Sequence, residues 1–263
     1  MILLKLGGSL ITNKKSAFSA RVDVIKRIGL EILKAKEDNP DLKLIIGHGS
    51  GSFGHHVATQ YGTRDHVYAK EQWLGFQKVW FAARQLNQIV IETFNQIGLP
   101  IICFPPSGSI ITSNRTISNW NLAPIMSALN NDLIPVIYGD VVFDNNFGGI
   151  ILSTEDLFLY LTKKTRVKAI LIAGIEEGVW QDYPQKNKLI SLITPRNFEL
   201  YANLISSSTT VDVTGGMQAK VNLMLSAVKE DPDLNICIFS GEENDNIKRS
   251  LLGQQLGTAI RFN

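Results

Sequence analysis

Short, uninterrupted runs of Ile, Leu and Val recur along the chain, at 2–6, 43–47, 100–104, 133–138, 168–173 and 234–239. Runs this short suit strands, and their lack of polar alternation means that both faces of each strand are covered. Between them lie longer stretches with helical periodicity, at 20–36, 69–97, 122–129, 154–164, 195–201 and 216–229. Such strand–helix alternation builds an α/β sandwich around a mainly parallel sheet. Two segments break the pattern: 109–117, with alternating β-branched residues, and 141–152, where Asp144-Asn145-Asn146 and Gly148-Gly149 supply turn chemistry. Both predict hairpins. The polar stretch 176–188 predicts a surface loop. No repeat, low-complexity tract or long linker divides the chain, so one compact unit with two lobes is expected.

A chain of 263 residues buries enough surface to need neither disulfides nor metals for stability. With 44% hydrophobic and 19% charged residues, wholesale disorder is excluded. The net charge of +2 is too balanced for a dedicated nucleic-acid binder. Cys103 and Cys237 sit far apart inside apolar runs and read as buried, reduced thiols of a cytoplasmic protein. No apolar run reaches the length of a membrane span. The opening residues, Met1 to Lys5, carry no charged leader and do not read as a signal peptide.

Four segments carry chemistry. In Lys5-Leu6-Gly7-Gly8-Ser9-Leu10-Ile11-Thr12-Asn13-Lys14 a strand runs into paired glycines. Successive glycines let backbone N–H groups form an anion-binding nest, to which Lys5 and Lys14 would add charge; an ordinary Gly-Gly turn fits as well. The nucleoside-triphosphate P-loop spacing is absent. The second segment, Gly47-His48-Gly49-Ser50-Gly51-Ser52-Phe53-Gly54-His55-His56, follows the second strand, where a parallel sheet places its ligand crevice. Its Gly49-x-Gly51-x-x-Gly54 imitates the dinucleotide fingerprint without that motif's context. Three of the chain's four histidines lie here, and an imidazole on such a loop can donate to a phosphate near neutral pH.

The third segment is Tyr138-Gly139-Asp140, followed by Ser153-Thr154-Glu155-Asp156. Asp140 ends a buried strand, where an acid is costly unless it holds neighbouring groups. Asp156 either complements a helix dipole or orients lysine ammonium groups. In the fourth, Val211-Asp212-Val213-Thr214-Gly215-Gly216-Met217-Gln218-Ala219-Lys220, a second Gly-Gly opens a helix with Lys220 one turn in. That suits a phosphoryl group, whose transfer needs mainly positioning and charge neutralisation. On the long helix, Trp73, Phe76, Trp80 and Ala83 share one face, either as core or as the wall of an apolar pocket.

In this order the four segments resemble the amino acid kinase superfamily. The loop ending Ser52-Phe53-Gly54-His55 resembles that of the isopentenyl phosphate kinases, close to His-Gly-Gly-Gly-Ser-Phe-Gly-His; here Ser50 replaces a glycine and His56 a common proline. The resemblance implies a three-layer αβα sandwich over 1–263, with an acceptor lobe at about 1–152 and an ATP lobe at about 153–263. It implies ATP-dependent phosphorylation of isopentenyl phosphate, with Mg²⁺ held by ATP and water rather than by a protein metal site. Lys5 and Lys14 would neutralise the transferring phosphate, Lys220 would contact ATP, and Asp156 would orient the lysines. Gly7, Gly8, Gly49, Gly51 and Gly54 would supply backbone donors, Ser9, Gly174, Gly178, Gly215 and Gly216 would flank ATP, and His55 would bind the acceptor phosphate. Ser50, Gly139 and Asp140 would line the acceptor site, and Trp73 and Phe76 would wall its tail pocket. The segment 173–180 departs from the family's Thr-Asp-Val-Asp-Gly-Val-Tyr. A homodimer is implied, with no nucleic-acid or membrane partner.

Competing readings are a related kinase for UMP, a phosphonate or an amino-acid carboxylate, a non-catalytic nucleotide sensor, and a nicotinamide oxidoreductase. His55 favours a phosphate or phosphonate acceptor. The missing fingerprint context weakens the oxidoreductase.

Overall fold

The computed structural model describes residues 1–13, 16–63, 66–205 and 216–263, with the backbone alone at 55 and 203–205. Along the first half run β1 (Ile2–Leu6), α1 (Gly8–Ile11), α2 (Val22–Asp38), β2 (Leu44–His48), α3 (Gly51–Tyr61), α4 (Lys70–Gln96) and β3 (Ile101–Cys103). There follow β4 (Ile110–Ser113), β5 (Thr116–Trp120), α5 (Ala123–Asn130), β6 (Ile134–Tyr138), β7 (Asp140–Asp144), β8 (Gly148–Leu152) and α6 (Thr154–Lys164). The remainder comprises β9 (Ala169–Gly174), β10 (Val179–Trp180), β11 (Leu189–Ile190), β12 (Leu192–Ile193), α7 (Phe198–Ile205), α8 (Gly216–Glu230), β13 (Asn235–Ser240), α9 (Asn246–Leu251) and β14 (Thr258–Ile260).

The six apolar runs pair into the central sheet, whose order is β12-β14-β13-β9-β1-β2-β6-β3. Every neighbouring pair in it is parallel except β13 with β14. Because side chains alternate across a strand, β1 sends Leu4 and Leu6 to one core and Leu3 to the other. The first core takes apolar residues from α2, α4 and α9, and the second from α5, α6 and α8. Helices on both faces of a mostly parallel sheet make a three-layer αβα sandwich. Lys5 shares the phase of Leu3 and so points toward the α6 and α8 side.

Glu31, buried on α2, accepts from Arg27 and, at 3.0 Å, from the Ile247 amide, and so ties α2 to α9. No helix among the described residues is long and apolar enough to cross a membrane.

The two hairpins join into one small sheet, in the order β5-β4-β7-β8, through a parallel β4–β7 pairing. Residues 176–188 are not simply a loop: β10 pairs antiparallel with β11, and Asp182 closes the intervening turn by accepting from the Asn187 and Lys188 amides. α7 starts and ends three to four residues beyond the predicted 195–201, and α1, α9, β12 and β14 are not among the elements the sequence predicts.

Candidate active site

The carboxyl ends of β1, β2, β6, β9 and β13 open into a cleft of about 710 Å³ that straddles β1. Its lining includes Lys5, Gly7, Gly8, Ser9, Gly49, Ser50, Gly51, Gly54, Gly139, Asp140, Asp156, Gly174, Gly178, Gly216 and Lys220, so residues spread over the sequence converge here. Lys14, Gly215 and the His55 side chain lie outside the described residues.

The glycine turns after β1 and β2 pack backbone against backbone. A Cβ on Gly8 would run into the Gly51 amide, and Gly51, at φ +50°, has no room for one beside Thr12. Thr12 locks the pair: its hydroxyl donates to Gly8 O (2.7 Å) and accepts from the Ser52 amide (3.0 Å). The turns do not offer all five expected donors. Gly7 N–H bonds Ala173 O (2.8 Å), Gly49 N–H bonds Leu6 O (3.1 Å) and Gly54 N–H bonds Ser50 O (3.3 Å), because these amides continue the sheet or the helix. Gly8 and Gly51 open α1 and α3, where first-turn amides have no intrahelical acceptor, and there an anion is favoured.

Lys5 is 7% exposed and forms an ion pair with Glu155, which is 4% exposed. Burial pushes Glu155 toward the neutral acid, but the Lys5 and Lys220 ammonium groups outweigh this and hold its carboxyl below the usual range. The carboxylate paired with Lys5 is therefore Glu155, and Lys220 acts on the same group. Asp156 Oδ2 accepts from Ser153 N (2.9 Å) and Ser153 Oγ (2.7 Å), closing a capping box at the start of α6. Sequence reasoning names Asp156 and misses Glu155, one residue away, because only the rotation of α6 over the sheet separates them.

Asp140 is buried on the β6 side of the cleft and accepts from Ser107 N (3.2 Å) and Val141 N (2.9 Å). Burial nonetheless raises its pKa from 3.8 to about 6. Between those values the folded chain holds a proton that the unfolded chain has released, so stability falls as pH rises through the window, by up to about 3 kcal/mol. Asp140→Asn is expected to remove that slope. Denaturant unfolding from pH 4 to 7 should show the wild-type-minus-variant difference changing below about pH 6 and flat above it. A difference constant across the range would contradict the raised acid.

His48 belongs to the scaffold. It is fully buried at the end of β2, stacked on Tyr138 at 5.4 Å, with Gly49 O and Asn87 Oδ1 each 3.1 Å from its ring nitrogens. Burial lowers its pKa, against the raising effect of these two contacts.

Trp73 and Phe76 do not reach the cleft. Their rings meet edge to face (5.2 Å), Trp73 stacks on Phe143 (6.0 Å) and Phe76 lies tilted against it (5.3 Å), and Phe76 covers Gly149, packing α4 onto the small sheet. From α4 the cleft takes Val79 and Ala83 instead, one and two turns further along the same stripe. On the β9 side the lining continues through Ile175, Glu176, Trp180 and Tyr183, with Met217, Leu223 and Ile238. Gly178 is fixed by packing, since a Cβ there would stand 2.9 Å from Thr258 N. Among the described residues no group of three or more His, Cys, Asp or Glu gathers to hold a metal ion.

Comparison with known proteins agrees with this geometry. Residues 1–240 match the model of the amino acid kinase family. The isopentenyl phosphate kinase of Methanocaldococcus jannaschii is 33% identical over 100% of this chain and 99% of its own, and that of Methanothermobacter thermautotrophicus is 30% identical over 99% and 98%. A crystal structure of an isopentenyl phosphate kinase superposes with a TM-score of 0.83 at 27% identity, covering 99% of both chains. A sandwich of this topology, with paired glycine turns and a buried lysine at its switch point, matched over nearly its whole length, places the chain in the amino acid kinase family.

Proposed function

We propose that this chain transfers the γ-phosphate of ATP to isopentenyl phosphate, giving isopentenyl diphosphate. The observation that carries the reading is the buried Lys5–Glu155 pair, which lines the same cleft as the two glycine turns and Lys220. Two phosphates meeting there find fixed positive charge in a site shielded from water, which is what phosphoryl transfer needs. The names of the full-length relatives support the same acceptor.

In this reading the lobe of about 1–152 binds the acceptor and that of about 153–263 binds ATP. Lys5 and Lys14 neutralise the transferring phosphate, Lys220 holds ATP phosphates, and His55 donates to the acceptor phosphate. Gly8 and Gly51 donate amides, while Ser9, Gly174 and Gly216 flank the nucleotide. Mg²⁺ is held by ATP phosphates and water, as that ion commonly is. A coupled ADP-release assay across isopentenyl phosphate, UMP and acetylglutamate, with and without excess chelator, tests acceptor and metal together. Turnover preferring UMP or acetylglutamate, or surviving chelator, would refute the corresponding part. The chain acts as a cytoplasmic homodimer; a monomer mass by light scattering would exclude the dimer.

The five-carbon tail lies against Val79 and Ala83. Ala83→Leu is expected to raise KM for isopentenyl phosphate about tenfold or more while leaving KM for ATP within about twofold. Val79→Ala opens the same wall. Each further buried methylene is worth about 0.8 kcal/mol, so kcat/KM for geranyl phosphate relative to isopentenyl phosphate should rise about tenfold. If neither parameter moves in folded variants, the tail lies elsewhere.

A further inference from the structure

The β9 side of the cleft holds one carboxylate that the phosphate chemistry leaves unused. Of the acids lining the cleft, Glu155 pairs with Lys5, Asp156 caps α6, and Asp140 lies on the β6 side. The fourth, Glu176, stands in the loop between β9 and β10. Its side chain is 21% exposed, and its oxygens are oriented from two directions. Trp180 Nε1–H donates to Oε2 at 3.1 Å, and Lys186 Nζ lies 3.0 Å from Oε1 and 2.8 Å from Oε2. Lys186 also sits 5.7 Å from the centre of the Tyr183 ring.

The surroundings of Glu176 suit a nucleoside rather than a phosphate. Trp180, Tyr183 and Ile175 line this end together with Met217, Leu223 and Ile238, a largely apolar and aromatic wall. The phosphate-binding turn is close by: a Cβ on Gly7 would stand 3.5 Å from Gly174 Cα. Glu176 is two residues beyond Gly174, so its Cα lies no more than about 7 Å from that of Gly174. A ribose occupies that interval between the phosphates and the base of a nucleotide. A carboxylate has about four acceptor positions, so Trp180 and Lys186 leave capacity for two neighbouring hydroxyls. Lys186 also offsets the negative charge that would otherwise repel a polyphosphate.

We propose that Glu176, held by Trp180 and Lys186, reads the ribose of the donor nucleotide by accepting from its 2′- and 3′-hydroxyls, and so selects ribonucleotides over deoxyribonucleotides. The assignment rests on the reading of this cleft as a nucleoside-triphosphate site. A carboxylate matched to a vicinal diol loses a partner when one hydroxyl is missing, the same logic by which acids recognise the ribose of dinucleotides elsewhere.

Calorimetric titration of ATP and 2′-deoxyATP, with Mg²⁺ and no acceptor, tests this independently of acceptor identity. Wild type should bind ATP about tenfold more tightly than 2′-deoxyATP. Glu176→Ala should weaken ATP about tenfold and bind the two nucleotides within about twofold of each other. Glu176→Gln keeps the volume and one acceptor oxygen, and should retain a reduced preference, which guards against a variant that merely unfolds the β10–β11 ribbon. In steady state either variant should raise KM for ATP without changing KM for the acceptor. Equal binding of the two nucleotides by wild type, or undiminished discrimination by both folded variants, would overturn the assignment while leaving the kinase reading intact. Binding of neither nucleotide by wild type would overturn both.

Discussion

Lys220→Ala is expected to lower kcat by two to three orders of magnitude with little change in the fold. The residue sits one turn inside α8, on the cleft, close enough to Glu155 for its charge to depress that carboxyl. Removing one preorganised charge from a transferring group costs about 3–4 kcal/mol, and each 1.36 kcal/mol is a factor of ten in rate. Lys220→Arg should recover only part of the loss, because a planar guanidinium does not occupy the position of a compact ammonium. Single-turnover kinetics beside a thermal melt measures both quantities. A folded Lys220→Ala variant with near-wild-type kcat would remove the residue from the mechanism.

Glu155→Gln should damage stability and catalysis together. It removes the carboxylate that pairs with Lys5 inside the protein, and breaking a buried pair typically costs about 3–5 kcal/mol. The same change frees Lys5 to shift from the position at which it meets the phosphate, so kcat should fall at least about a hundredfold. Replacing both partners, as Lys5→Met with Glu155→Leu, should recover stability, since apolar residues of similar volume often substitute for a buried pair without loss. It should not recover activity. Asp156→Asn provides the contrast: it weakens a capping box, at about 1 kcal/mol, and should leave kcat within a few-fold. A larger loss of kcat in Asp156→Asn than in Glu155→Gln would mean that the two acids have been assigned the wrong way round, and equal losses would refute their separate roles.

The amino-acid order alone gives six of the eight strands of the central sheet to within about a residue, because an uninterrupted apolar run is too short for a helix and too apolar for an exposed strand. It also gives the glycine turns. Gly8 and Gly51 admit no side chain where the two turns meet, a constraint that leaves its mark in composition. Lys5 and Lys220 are legible for a related reason: each follows or precedes a glycine turn by a fixed number of residues, and local geometry carries it to the cleft. Orientation across the fold is another matter. Adjacent residues on a helix point about 100° apart, so whether Glu155 or Asp156 meets Lys5 depends on how α6 is rotated against the sheet. Nothing in Ser153-Thr154-Glu155-Asp156 determines that. The stripe on α4 is equally ambiguous, since Trp73, Phe76, Trp80 and Ala83 all lie along it, and only the small sheet covering its first turns leaves Ala83, with Val79 a turn before it, to face the cleft. The amides of Gly7 and Gly49 look like donors in sequence and are consumed by Ala173 and Leu6, partners about 165 and 43 residues away. Local chemistry thus determined which elements form and which residue types could handle a phosphate, whereas the choice among neighbouring candidates came from long-range packing, which alone decides which face of each element meets the cleft.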